Sequence, residues 1–176
     1  CNMLPEASEN LGFLTPEIHD EVDSVVMNRD KSSAGAMEVN RLRRNLLSSQ
    51  PLCFNFFAPL HKDTALALRV LKKFYSKLTA VTAVHFEFDR KNYTNDRSAF
   101  DVAIEGKEGK KSVLIGLECK YTESFSQTSY DKPAYKEIFK GSTRFLKKYS
   151  TYIAPTYNQL FRNQLMAEGS LQHKDY

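Results

Sequence analysis

Apolar positions recur at helical spacing through the first half of the chain and again near its end, and they alternate in between. Thr15-Pro16-Glu17 places a capping hydroxyl before a proline at a first helical position, and Ile18, Val22, Val25 and Val26 then fall on one face. This predicts a first helix of about 14 residues. A second helix is expected from Ala36 to Leu47, with Val39, Leu42 and Leu46 as its apolar stripe, before Ser48 to Pro51 interrupts it. Leu52 to Phe57 is apolar and short, so its periodicity leaves strand and buried helix both open. From Asp63 to Leu78, the spacing of Leu66, Val70, Leu71, Phe74 and Leu78 predicts an amphipathic helix with its basic residues mostly on the other side.

The period changes in the middle of the chain. Ala83 to Phe88, Ala99 to Glu105 and Ser112 to Tyr121 read as strands, and the glycines of Gly106-Lys-Glu-Gly109-Lys110 suit a hairpin between the last two. Helical spacing returns over residues 134–148 and, past Pro155, over 156–168. The order of helices, a β-meander and helices again implies an α/β domain, a small mixed sheet with helices on both sides.

Composition narrows the class. The 176 residues, with 12 Phe and 9 Tyr and no low-complexity bias, suit one packed domain and exclude collagen-like, coiled-coil and disordered chains. No apolar run is long enough for a membrane helix, and the start lacks the basic-then-apolar order of a signal peptide. The chain begins at Cys1 rather than Met, which leaves open that it is part of a longer protein. Three widely spaced cysteines encode neither a disulfide framework nor a CxxC-type zinc site, so a reducing cytoplasm is the expected compartment.

Charge is unevenly placed. Residues 1–35 carry 7 acidic and 2 basic side chains, leaving 23 basic against 14 acidic in residues 36–176, a net +9. The first segment therefore reads as an acidic helical appendage and the second as the functional domain. The basic excess, which includes Lys72 and Lys73, suits a polyanion such as DNA, although a solvated helix face explains those two lysines equally well.

The hairpin carries the chemistry. Along Val113 to Tyr121, Glu118 and Lys120 share a face with Gly116, so a carboxylate and an amine end one strand on the same side. A turn centred on Glu108-Gly109 sets Asp101 opposite Gly116 and diagonal to Glu118, about 7–8 Å away. Two carboxylates so placed can hold one divalent cation. Mg²⁺, for which Mn²⁺ can substitute, takes one or two carboxylates and leaves positions for water and phosphate oxygens. Asp101, Glu118 and the backbone carbonyl of Cys119 are the expected ligands, Lys120 would serve the attacking water, and Gly116 would leave room for metal or phosphate.

Phe100-Asp101, a 16-residue gap and Glu118-Cys119-Lys120 resemble the PD-(D/E)XK nuclease superfamily, whose fold is restriction-endonuclease-like. More narrowly, Ser48 to Asn55, Glu118 to Glu123 and Gln159-Leu-Phe-Arg162-Asn163 resemble a poorly characterised bacterial branch of it. The resemblance implies Mg²⁺-dependent hydrolysis of DNA phosphodiesters, with Asp101 and Glu118 on the metal and Lys120 as the catalytic lysine. No proline precedes Asp101, where the family pattern has one. The resemblance offers Glu38 as an assisting acid on an early helix, Gln159 as an active-site residue and Arg162 as a nucleic-acid contact.

Other readings stand beside this one. Glu118 and Lys120 alone could be a cross-strand ion pair at a solvated strand end. A catalytically silent nucleic-acid-binding or assembly module on the same fold is the rival function, and the complete Asp, Glu and Lys set argues against it. Cys53 paired with His61 or His85 as nucleophile and base has no supporting signature, and the histidines show no zinc-ligand spacing. A homodimer or larger complex stays open.

Overall fold

The computed structural model describes residues 2–28, 37–89 and 91–176. Helix α1 (Pro16–Asn28) starts at the expected proline, with the Thr15 hydroxyl accepting from the Ile18 amide at 3.4 Å. Helix α2 (Val39–Arg44) is shorter than its apolar spacing suggests; Ala36, its expected first residue, lies outside the described residues. Residues 2–4 take over the backbone of its end, through Leu4 N–H to Arg44 C=O at 2.8 Å and Leu46 N–H to Asn2 C=O at 3.1 Å. Of the expected stripe only Leu42 is buried, while Val39 and Leu46 are exposed.

Helix α3 (Ser49–Lys62) resolves the ambiguous apolar stretch. Ser48 to Pro51, which reads as an interruption, is its cap and first turn. The Ser48 hydroxyl accepts from the Gln50 amide at 3.2 Å, and Pro51 sits where an amide has no helical partner to lose. Helix α4 (Thr64–Leu71) is capped by the Asp63 carboxylate and ends well short of Leu78. Leu78 is buried in the turns that follow, and Phe74 is exposed rather than part of the stripe.

Strands β1 (Ala80–Phe88), β2 (Phe100–Glu108) and β3 (Lys111–Leu117) form a sheet in the order β1-β2-β3. Both pairings are antiparallel, so these strands make no mixed sheet. The β2–β3 turn is Gly109-Lys110, with positive φ (60°) at Gly109 alone, the pattern of a type II′ hairpin. This moves the register by two residues from a turn at Glu108-Gly109. Faces are unchanged by an even shift, but Gly116 now faces Ala103, and continuing the register sets Asp101 opposite Glu118.

Helices cover both faces. Leu60, Ala67 and Leu71 of α3 and α4 pack with Val81, Val84, Val102 and Ile104 on one side. On the other, Met166 of α7 (Pro155–Gln172) packs with Phe100 and Ala103. The expected helix over 134–148 is two pieces, α5 (Pro133–Lys140), ending at Gly141, and α6 (Tyr149–Tyr152); both pack against α7 around Phe161. On α1, Ile18 and Val22 share a cluster with Leu42, Phe54 and Ala58. Among the described residues, no helix is long and apolar enough to cross a membrane.

Candidate active site

Strand β3 ends at Leu117, so Glu118, Cys119 and Lys120 lie just past its last paired residue. The change of partner is visible in one bond: the Cys119 amide donates to Asp101 Oδ2 at 2.6 Å instead of to a neighbouring strand's carbonyl. Asp101, Glu118 and Lys120 line one cleft of about 230 Å³. Lys120 Nζ is 2.8 Å from Glu118 Oε1, with the Glu118 side chain only 13% exposed. Burial, with the Glu118 charge beside it and Glu87 adding to it, pushes the Asp101 carboxyl up to about 7, against the Cys119 amide and Lys120, which favour its ionised form.

Helix α7 grips Glu118 from above the sheet. Gln159 and Asn163 stand one turn apart on the same face; Gln159 Nε2 donates to one carboxylate oxygen and Asn163 Nδ2 to the other at 2.9 Å. The Gln159 carbonyl oxygen accepts from the Ser126 amide at 2.8 Å, tying the loop after Lys120 to the helix. Arg162, on the same helix, also reaches the cleft. Its Nη1 donates to Ser98 Oγ at 2.7 Å, and its guanidinium lies 4.8 Å from the Tyr130 ring centre.

Glu123 sits in the loop beyond Lys120. Arg41 and the Ser49 amide both donate to it, the latter at 2.7 Å. Burial alone would raise its pKa, but the Ser49 amide, the Arg41 guanidinium and the Tyr121 amide bring the carboxyl down to about 2. Arg41 and Ser49 are themselves part of the cleft lining, so Glu123 anchors the wall that α2 and α3 contribute.

Besides Arg41, Ser98 and Asn163, two further charged cleft residues go beyond the sequence reading. Glu87 adds a third carboxylate to the lining and has a left-handed backbone (φ 48°) at the end of β1. The kink breaks alternation: Phe86 stacks on Phe54 on the α3 side, whereas Phe88 packs with Phe100 and Met166 on the α7 side. A non-glycine residue held in that conformation costs roughly 1–3 kcal/mol and is a recurring mark of functional sites. The signal in the sequence was faint, an acidic residue at the end of a predicted strand. Arg97, the second, stands on the loop before β2 and left no signal at all.

Other expected site residues lie elsewhere. Glu38 is not part of the cleft lining; it is the N-cap of α2, its carboxylate accepting from the Arg41 amide at 3.2 Å. Lys72 and Lys73 follow α4 and are exposed, away from the cleft lining. Gly116 makes room for a ring rather than a ligand, since a Cβ there would stand 2.4 Å from the Phe100 side chain. Cys53 has neither histidine as a base: His61 is bonded to Glu21 and His85 to Glu105.

The family model of the PD-(D/E)XK nuclease superfamily matches residues 1–176, the whole chain. No curated protein and no solved structure matches it. The small antiparallel sheet between helices agrees with the restriction-endonuclease-like fold of that superfamily. The chain belongs to the PD-(D/E)XK nuclease superfamily.

Proposed function

We propose that the protein is a metal-dependent nuclease that hydrolyses DNA phosphodiester bonds, as an endonuclease, at the Asp101, Glu118 and Lys120 cleft. One observation carries the reading: two carboxylates and a lysine from the end of one hairpin line a single cleft, and the Glu118 charge stands close enough to disfavour ionisation of Asp101. A divalent cation relieves that repulsion. The donor set fits a hard ion, being all oxygen. Mg²⁺ is such an ion: it takes one or two carboxylates and keeps its other positions for water and phosphate. Asp101, Glu118 and the Cys119 carbonyl would hold it, with Mn²⁺ as a substitute. When bound, such an ion acidifies water and stabilises charge developing on phosphate.

The chain's own groups supply orientation. Gln159 and Asn163 fix the plane of the Glu118 carboxylate, and the Cys119 amide fixes that of Asp101. Lys120, held by Glu118, directs the attacking water or offsets the charge of the five-coordinate phosphorus. Arg162 braces the opposite wall and offers a phosphate contact. The +9 balance of residues 36–176 favours a nucleic-acid polyanion.

The test is cleavage of supercoiled and linear DNA in Mg²⁺ or Mn²⁺ by the wild type, Asp101→Ala and Lys120→Ala, with EDTA as control. Cleavage by the wild type alone, abolished by EDTA, is the expected result. Retardation of DNA without cutting by the wild type in either metal would replace the nuclease with a silent binding module.

A further inference from the structure

Four cations line the cleft: Arg41, Arg97, Lys120 and Arg162. Three have partners within the protein. Arg41 is paired with Glu123, Lys120 with Glu118, and Arg162 with Ser98, with Asp96 4.0 Å away. Arg97 is exposed and has no hydrogen-bond or ion-pair partner among the described residues. That a guanidinium sharing the cleft lining with three carboxylates bonds to none of them calls for a cause.

The loop that carries Arg97 supplies one. Asp96 accepts from the Thr94 hydroxyl at 2.9 Å, from the Ser98 amide at 2.7 Å and from the Tyr135 hydroxyl, whose own position is wholly buried. Burial opposes the charge on Asp96, but these donors lower its pKa below the usual carboxylate value. Asn92 accepts from the Asp96 amide at 2.9 Å, and the Asp89 carboxylate accepts from the Asn92 amide at 3.0 Å. The residues on both sides of Arg97 are thus fixed, one to the α5 tyrosine and one to Arg162 on α7. The loop thereby holds Arg97 in the cleft lining, where its fork of donors has no partner among the described residues.

We propose that Arg97 is an anchor for the nucleic-acid phosphate next to the one at the Asp101–Glu118 pair. The inference rests on the nuclease reading above. Three arguments support it. Arg97 precedes Asp101 by four residues, a backbone span of at most about 14 Å, so its side chain reaches the same short stretch of substrate. Both line one cleft of about 230 Å³, so neighbouring phosphates of one strand fall within their reach. A planar guanidinium with free donors matches two phosphate oxygens, and it lets a strand sit over a carboxylate site that would otherwise repel it. Arg97 is therefore a binding residue for the backbone rather than a reader of bases.

The test measures binding of a labelled DNA oligonucleotide in Ca²⁺ across a salt series, and cleavage in Mg²⁺, for the wild type, Arg97→Ala, Arg97→Lys and Lys110→Ala. Lys110 lies in the hairpin turn at the far end of β2 and serves as a surface control. Arg97→Ala should weaken binding roughly tenfold and lower the slope of log affinity against log salt by about one, as loss of one phosphate contact does. KM should rise with kcat within about twofold, and Arg97→Lys should restore the salt slope with part of the affinity. A wild type that binds and cuts, with Arg97→Ala matching Lys110→Ala in affinity and slope, overturns the anchor and leaves the nuclease standing. A wild type that binds without cutting, and loses affinity in Arg97→Ala, overturns the nuclease and keeps the anchor. No binding and no cutting overturns both.

Discussion

Asp101 and Glu123 are carboxylates serving one cleft, and the fold treats them oppositely. Glu123 is met by an arginine and backbone amides, and its carboxyl is held down to about 2. Asp101 is half-buried with two other carboxylates near it and is pushed up to about 7. A carboxylate the protein neutralises with its own donors is part of the scaffold. One left beside like charges, and kept there by burial, is a position arranged for something that arrives from outside. The distinction separates the wall that α2 and α3 anchor from the floor that the hairpin forms.

The contrast can be broken at several points. The largest effect should be on activity: Asp101→Asn or Lys120→Ala should reduce DNA cleavage at least about a thousandfold, near the upper range for removing one group that stabilises a transition state. Glu123→Gln should retain measurable cleavage in the same assay, and equal losses would erase the difference between floor and wall.

Stability should then move in opposite directions. Asp101 binds its proton more tightly folded than unfolded, so its contribution turns unfavourable as pH rises from about 4 to about 7 and is fully unfavourable above. Asp101→Asn should therefore raise the thermal midpoint of the metal-free protein at pH 8. The gain should be about 2–4 kcal/mol, the free-energy equivalent of a carboxyl raised to about 7, and it should vanish below pH 4. Glu123 behaves in the reverse sense, stabilising above about pH 4.5 and losing that contribution as pH falls toward 2. Glu123→Gln should cost about 1 kcal/mol at pH 7, a value reduced for the partial solvation of the group. Thermal melts across pH 3–8 check both, and a midpoint lowered by Asp101→Asn at pH 8 would contradict the picture of a strained floor.

Much of this was legible in the sequence, and for a physical reason. Alternation along β3 fixed which side chains share a face, and that property survives a two-residue error in register, so Asp101, Glu118 and Lys120 were grouped in spite of a misplaced turn. Gln159 and Arg162 fall one helical turn apart, so their shared reach into the cleft is readable from spacing, whereas the joining of Asn163 to Gln159 on Glu118 is not. Contacts between segments distant in sequence were not readable. The end of α2 is set by residues 2–4 pairing with it, the Glu87 kink breaks the alternation that periodicity assumes, and Arg97 owes its place to a loop closed by Tyr135 and Arg162. Gly116 signals a close approach but not its neighbour, the Phe100 ring, because a missing Cβ does not say what fills the space.

The central claim is that Asp101 is held for a divalent cation, and calorimetric titration of Mn²⁺ or Mg²⁺ into the metal-free protein tests it most directly. In two buffers of different ionisation enthalpy at pH 6, binding should release close to one proton per ion, falling toward zero at pH 8, because Asp101 must ionise to bind. Asp101→Asn should abolish both the binding and the proton release. Binding of equal affinity in Asp101→Asn, or uptake without proton release at pH 6, would contradict the account.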